Sequence, residues 1–298
     1  MFLDNWPISL TMLFGSFIAG ASSEGGGAIA FPVFTLVFEL TPTIARNFSF
    51  AIQSVGMTAA SLIILDRKIK IEKKAIIFSS IGGLLGLYFG TFFILELIEP
   101  KLIKLLFVSL WLSFGVVLFI KNNILKIVSN SDELKVSNYE ILFLIFFGFI
   151  GGIVSSVFGN GLDMVIFCFL TLYFKLEEKI ATPTSVIIMA INTVCGFVLH
   201  HLIVKDISPL VFDYWLVSIP IVILFAPLGA IIINKFKTES IAKFLIFIVL
   251  IQFLGAIIIL QPGLKILLYC FAVVSFGTTV FLLLLKNRKH RQVLKPKI

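Results

Sequence analysis

Apolar residues run through this chain in long blocks rather than in alternating patterns. Eleven such blocks can be marked, at about residues 8–23, 27–38, 44–65, 75–95, 102–120, 139–158, 162–174, 181–204, 212–233, 240–260 and 264–285. Several have about 18 or more residues, which matches a bilayer core about 30 Å thick. Backbone groups in hydrocarbon need internal partners, so only helices or closed barrels cross it, and barrel strands alternate polar and apolar residues. The pattern therefore predicts an all-α polytopic membrane protein.

Two of the blocks, 27–38 and 162–174, are too short to cross the bilayer by themselves. At 1.5 Å per residue, about twelve or thirteen residues reach less than about 20 Å. We interpret them as half-helices, each forming a broken or re-entrant hairpin with the block before it. Non-helical backbone at this depth is tolerated only where protein buries it or where it lines a cavity.

A glycine-rich motif precedes both short blocks, with its two copies about 134 residues apart. The copies read Gly20-Ala21-Ser22-Ser23-Glu24-Gly25-Gly26-Gly27 and Gly152-Ile153-Val154-Ser155-Ser156-Val157-Phe158-Gly159-Asn160-Gly161. A second small signature follows each short block, as Ala45-Arg46-Asn47-Phe48-Ser49 and Ala181-Thr182-Pro183-Thr184-Ser185. Interrupted hydrophobic segments at corresponding places in two halves are typical of a transporter's substrate site.

Composition indicates a membrane location, and the distribution of charge indicates the orientation of the chain in the membrane. With 59% hydrophobic and 13% charged residues, the chain has about half the charge that a soluble surface requires. If the N-terminus is outside, the inside loops and the tail hold 19 of the 24 Lys and Arg residues and the outside loops hold five. This asymmetry is a topology signal rather than a nucleic-acid footprint. We expect a bacterial cytoplasmic (inner) membrane, an external N-terminus and a cytoplasmic C-terminus.

The same topology divides the chain into two inverted repeats. Residues 1–120 form the first repeat, 121–138 a cytoplasmic linker and 139–260 the second repeat. Residues 261–298 add a further transmembrane helix and a basic cytoplasmic tail. The first repeat enters the membrane from outside and the second from inside, and repeats of this kind rock against each other to give alternating access.

The doubled motif resembles the sulfite exporter TauE/SafE family, also called the 4-toluene sulfonate uptake permease family. The residues that carry the resemblance are Gly20, the Gly25-Gly26-Gly27 triplet with Pro32 five residues later, and the paired starts Ala45…Ser49 and Ala181…Ser185. The second half departs from this pattern, because Asn160 interrupts the glycines and no proline matches Pro32. The resemblance implies secondary transport of sulfite, sulfoacetate or other organosulfonates, in either direction.

A small oxyanion at the midplane needs fixed donors in place of water. Helix N-termini offer unpaired amides and a partial positive charge, and hydroxyl and amide side chains complete the shell. The candidate substrate-binding residues are Ser22, Ser23, Gly25, Gly26, Gly27, Arg46, Asn47, Ser49, Gln53, Ser156, Gly159, Asn160, Gly161, Thr184, Ser185 and Asn192. For the Ser and Thr residues, helix packing is the alternative interpretation, and for Arg46 it is an interfacial side chain reaching the headgroups.

Two carboxylates, Glu24 and Asp163, stand beside the glycine clusters and would repel an anion if ionised. Intramembrane carboxylates are functional candidates by default, so we assign them proton coupling, with helix capping as the alternative. A cation or other small-solute carrier or channel that uses both carboxylates is the competing function. We interpret His200 and His201 as interfacial.

No catalytic residue, metal site or cofactor is expected. The expected partners are a small sulfur anion, the lipid bilayer and protons as the coupling ion, with a homodimer as an open alternative and no nucleic acid.

Overall fold

The computed structural model describes residues 5–22, 27–125, 134, 136–233, 235 and 238–293, and these contain helices and no β-strand. Five helices continue into a π-helical turn. The helices are α1 Trp6–Ala21, α2 Gly27–Pro32 with the turn Val33–Val37, α3 Pro42–Asp66, α4 Lys73–Phe89 with the turns Gly90–Ile94 and Leu95–Leu97, α5 Pro100–Phe119 with the turn Ile120–Ile124, α6 Asn138–Phe158, α7 Leu162–Cys168 with the turn Phe169–Tyr173, α8 Glu178–Val198 with the turn Leu199–Val204, α9 Pro209–Ile233, α10 Thr238–Leu260 and α11 Leu264–Val293.

Each of the eleven apolar blocks coincides with one of these helices. Within the described residues, seven helices are long and apolar enough to cross a membrane. They span Pro42–Asp66, Lys73–Leu97, Leu102–Ile124, Asn138–Phe158, Glu178–Val204, Pro209–Ile233 and Leu264–Lys286. The all-α polytopic class predicted from the sequence is therefore confirmed.

The two short helices end in the same way. Glu39 and Lys175, 136 residues apart, both have a left-handed φ of 54° just after the π-helical turn. The amide of the next residue donates to a carbonyl six positions earlier, at 2.9 Å in the first case and 3.1 Å in the second. Thr35 and Thr171 occupy matching places in the two turns, and each donates its hydroxyl to the carbonyl four residues before it, at 2.8 Å.

The closest helix packing joins the two halves of the chain. α1 lies along α9, and α6 lies along α4. Glycines permit the contact, because a Cβ atom at Gly20 would stand 1.8 Å from the carbonyl oxygen of Ala226, and one at Gly86 would stand 1.9 Å from that of Phe149. Small residues allow membrane helices to approach at backbone distance. The first helix of each half is therefore held by a late helix of the other half.

α3 and α8 cross at the centre in antiparallel directions. At one end, Asn47 near the start of α3 donates through its side-chain amide to the backbone carbonyl of Asp206, just after α8, at 3.0 Å. At the other end, the amide of Glu72, just after α3, donates to the hydroxyl of Thr184 near the start of α8, at 3.0 Å. Below, the end with Asn47 and Asp206 is called the Arg46 side, and the charge pattern predicts that it faces outward.

Candidate functional site

The break between α6 and α7 is built on two glycines. Gly159 ends α6 with φ of 77°, and Gly161 precedes α7 with φ of 124°, both in the region that L-residues with side chains rarely adopt. Space adds a second constraint, because a Cβ atom at Gly159 would lie 2.4 Å from the carbonyl oxygen of Arg46. The backbone of this break therefore rests directly on α3. Asn160, between the glycines, is fully buried.

Two side chains of α3 hold the break. Ser49 donates its hydroxyl to the carbonyl oxygen of Gly159 at 3.2 Å, and Gln53 donates its side-chain nitrogen to the same oxygen at 3.1 Å. Gln53 also donates to the hydroxyl of Ser49 at 2.7 Å. The two residues share one helix face, as their spacing predicts. Ser49, Gln53 and Gly159 are all buried, so these are polar contacts in the interior of a membrane protein.

The backbone donors at the start of α7 already have partners within the chain. Asp163 accepts from the amides of Gly161 and Met164 at 3.2 and 3.0 Å through one carboxylate oxygen. The hydroxyl of Ser155 accepts from the amide of Leu162 at 3.1 Å. A carboxylate at a helix start is favoured by the helix dipole. The other oxygen of Asp163 is buried and has no hydrogen-bond partner among the described residues.

A small cavity lies beside Gln53. It has a volume of about 10 Å³, lies between α1, α3 and α9, and is lined by Ser16 and Gln53 among apolar residues. That is room for about one water molecule. The hydroxyl of Ser16 and the carbonyl oxygen of the Gln53 amide are buried and lack partners in the described part of the chain. Unsatisfied polar atoms of this kind cost stability unless a water or a ligand binds to them.

Aromatic rings bring the first short helix against the second break. Phe31 of α2 lies with its ring centre 5.6 Å from that of Phe158, the last residue of α6. Phe107 and Trp111 of α5 complete the cluster, with ring centres 4.3 Å apart. The described portion of the first half-helix is thus adjacent to the second half's break. Residues 23–26, which join α1 to α2, lie outside the described residues, so the placement of Ser23, Glu24, Gly25 and Gly26 stays a prediction.

A charged cluster covers the Arg46 side of the break. The guanidinium of Arg46 donates to one carboxylate oxygen of Asp206 at 2.5 Å, and His200 Nδ1 lies 2.9 Å from the other oxygen. Arg46 Nε donates to the side-chain oxygen of Asn47 at 3.0 Å. Burial raises the pKa of Asp206, but the hydrogen bond from His200 and the positive charge of Arg46 outweigh it and hold this pKa below its usual range.

The remaining predicted residues lie on or beside α1, α2, α6 and α8. Ser156 donates to the carbonyl of Ile153 on its own helix and packs against Gly90, the first residue of the turn after α4. Thr184 and Ser185 lie near the start of α8, at the opposite end from Arg46, and both donate to carbonyls of their own helix. Ser22 is buried, and Gly27 begins α2. Asn192 is buried on α8, and neither of its side-chain polar atoms is bonded to a described residue.

Asp206 and His200 are functional candidates that the sequence interpretation did not select. His200, in the turn after α8, lies next to Asp206, and its side chain is fully buried with the ring stacked on Phe50. The sequence did contain a signal for Asp206, because it is an acidic residue in a short loop that the charge pattern predicts on the same side as Arg46. Within the described residues, no group of three or more His, Cys, Asp or Glu side chains could hold a metal ion.

Comparison with known proteins identifies a family and a relative. The family model described as Sulfite exporter TauE/SafE matches residues 8–255. A curated relative, the "Probable membrane transporter protein MJ0441" of Methanocaldococcus jannaschii, is 27% identical over 207 residues, which are 68% of this chain and 73% of the relative. No solved structure matches.

Proposed function

Since the chain belongs to the sulfite exporter TauE/SafE family, we propose that it is a secondary active transporter of small sulfur oxyanions such as sulfite, sulfoacetate or other organosulfonates. The observation that carries the proposal is the glycine break at Gly159–Gly161, held in the protein interior by Ser49 and Gln53. A purely structural helix would not need an interruption at this depth, because every broken backbone bond requires a new partner.

Alternating access is proposed to follow from two inverted repeats, 1–120 and 139–260, joined by the linker 121–138 and followed by the extra helix and tail 261–298. The matched endings of α2 and α7 and the antiparallel crossing of α3 and α8 support this division. Rocking of one repeat against the other would expose the break to each side in turn. We further propose an external N-terminus and a cytoplasmic C-terminus in a bacterial cytoplasmic membrane, and the charge asymmetry supports this orientation.

The site is proposed to bind the anion with side-chain and backbone donors around the break. Ser49, Gln53 and Asn160 supply hydroxyl and amide groups, and the start of α7 supplies backbone amides. The ionised carboxylate of Asp163 competes for those amides, since it now accepts from two of them. A proton on Asp163 would remove the competing charge, so that one proton accompanies the anion into the site.

The direct test is uptake of radiolabelled sulfite and sulfoacetate into proteoliposomes that contain the full-length protein. Gln53→Leu and Ser49→Ala are expected to reduce initial rates at least tenfold, because each removes a donor from the break. Ser61→Ala is the matched control, since Ser61 lies on the same helix and donates to its own helix carbonyl. Absence of uptake of any sulfur anion by the unmodified protein would refute the proposal.

Coupling is tested by replacing Asp163 with Asn, alone and with Glu24→Gln. We expect uptake driven by an imposed pH gradient to be lost in Asp163→Asn, while exchange of anion for anion continues. Retention of full gradient-driven uptake in the double variant would rule out both carboxylates as proton carriers.

A cation carrier is the second candidate, because Asp163 is fully buried with one oxygen that has no partner among the described residues. Thermal stabilisation of the purified protein separates the two. Sulfite or sulfoacetate should raise the melting temperature, whereas sodium or potassium as chloride salts should leave it unchanged.

A further inference from the structure

We propose that Asp206 is a tethered substitute for the transported oxyanion. It closes the route from the Arg46 side to the glycine break, called the mouth here, and is displaced by an anion that enters there. The inference rests on the proposed function and adds to it a binding position outside the break. Its receptor groups are Arg46 and His200, and its ligand class is an oxyanion with two oxygens available on one edge.

The geometry is that of a bound anion. Both oxygens of the Asp206 carboxylate are engaged, one by Arg46 at 2.5 Å and one by His200 at 2.9 Å. A sulfite or sulfonate group also presents two oxygens on one edge, and an arginine side chain binds such groups with charge-assisted hydrogen bonds. Arg46 and His200 would therefore donate the same hydrogen bonds to the oxygens of the substrate once the carboxylate leaves.

Burial distinguishes the receptor groups, Arg46 and His200, from the Asp206 carboxylate that they bind. The side chains of Arg46 and His200 are 3% and 0% exposed, whereas that of Asp206 is 26% exposed. Asp206 lies in the short connection between α8 and α9. A buried arginine cannot lose its counter-ion without a large desolvation penalty. Opening must therefore proceed by exchange of one anion for another.

The cluster also connects the two halves directly above the break. Arg46 and Asn47 belong to α3 in the first half, and Asp206 follows α8 in the second. The carbonyl of Arg46 is the group against which Gly159 packs. Displacement of the Asp206 carboxylate thus removes the ion pair that joins the halves and leaves the anion about one helical turn from Ser49 and about two turns from Gln53.

Chemical rescue tests the receptor without reference to the transported substrate. Asp206→Ala in the purified full-length protein should lower the melting temperature by several degrees, and sodium formate should restore most of that loss while sodium chloride at equal ionic strength does not. Asp213→Ala is the matched control, because Asp213 is an exposed acid on the same side, near the start of α9; neither its melting temperature nor its formate response should differ from the wild type.

Kinetics distinguish displacement from a purely structural ion pair. In proteoliposomes, Asp206→Asn should lower the external KM for sulfite several-fold, because the competing charge is gone, and should also lower kcat, because the mouth closes poorly. A structural role would reduce kcat with KM unchanged. Asp206→Asn retains the size of the side chain, so this kinetic test can still be made if Asp206→Ala does not fold.

The inference and the proposed function fail separately. Formate rescue without transport of any sulfur anion would refute the proposed function and leave the receptor in place. Sulfite transport with no formate rescue, or with an unchanged KM in Asp206→Asn, would overturn the inference and leave the function standing.

Discussion

At the scale of single residues, buried ion pairs connect parts of this chain that are far apart in sequence. Besides Arg46 and Asp206, Lys121 in the turn after α5 and Glu178 at the start of α8 form an ion pair at 2.6 Å, with side chains 1% and 4% exposed. Such pairs are costly to break because the remaining charge stays desolvated. The second pair lies on the side opposite Arg46.

Removal of one member of the second ion pair, Lys121 or Glu178, should lower the stability of the folded protein far more than removal of both. Glu178→Gln should destabilise the protein by about 3–5 kcal/mol, whereas Lys121→Met combined with Glu178→Leu should be close to neutral. Thermal denaturation in detergent measures the difference. Lys179→Met, an exposed lysine next to Glu178, is the control, and a double variant as unstable as Glu178→Gln would contradict this account.

Acid should selectively weaken the contribution of Asp206. Its pKa in the folded protein is depressed, so its stabilisation is fully present above the unfolded value of about 3.9 and is lost as the pH falls through the folded value. The melting-temperature difference between wild type and Asp206→Asn should shrink as the pH falls below about 4. A difference that grows as the pH falls below about 4 would contradict the assignment.

Residue-level prediction succeeded where spacing along one helix was enough. The shared face of Ser49 and Gln53 follows from their four-residue separation. The bond from Gln53 to Gly159 spans 106 residues and the pair of Arg46 with Asp206 spans 160. Contacts at such separations depend on helix pairing, which apolar composition does not specify.

At the scale of helices, the sequence predicts positions well and endings less well. Ten of the eleven blocks agree with the helices within a few residues, because length and apolarity alone set a membrane segment. The last helix, α11, continues eight residues beyond its block, to Val293. The π-helical turns at Val33–Val37 and Phe169–Tyr173 were not predicted, since one extra residue in a turn leaves no trace in hydropathy. Turns of this type are frequently found at functional sites.

Two glycines allow a matched test of helix packing. Gly86→Ala should force α4 and α6 apart, because its Cβ would stand 1.9 Å from the Phe149 carbonyl oxygen. Gly255→Ala meets nothing within 4 Å and should be neutral or stabilising, as alanine favours the helix by about 1 kcal/mol. Melting temperatures in detergent should fall by several degrees only for Gly86→Ala. Equal effects of the two substitutions would contradict the packing argument.

At the scale of the whole molecule, the orientation of the two halves can be tested with one pair of equivalent positions. Glu39 and Lys175 end the two short helices in the same conformation. In a variant without Cys168, Cys195 and Cys270, a cysteine at Glu39 should react with an impermeant reagent only from outside, and one at Lys175 only from the cytoplasm. Labelling from the same side would show parallel rather than inverted repeats.

The arrangement of the helices could not be predicted from the sequence, although their number could. Every apolar segment is chemically able to pack with any other in lipid, since the hydrophobic effect does not discriminate among them. What selects the partners is the placement of glycines, as at Gly20 against Ala226 and Gly152 against Gly83. Such complementarity becomes visible only when the surfaces are in contact.

The exchange of first helices between the halves has a consequence for biosynthesis. α1 reaches its main partner only when α9 has been made, and α4 must wait for α6. Glycine-lined surfaces of the early helices therefore stay uncovered while translation continues through about residue 233. The nascent chain needs lipids, the insertion machinery or a chaperone to shield them, and a ribosome that stalls in the linker would release a fragment unable to mature alone.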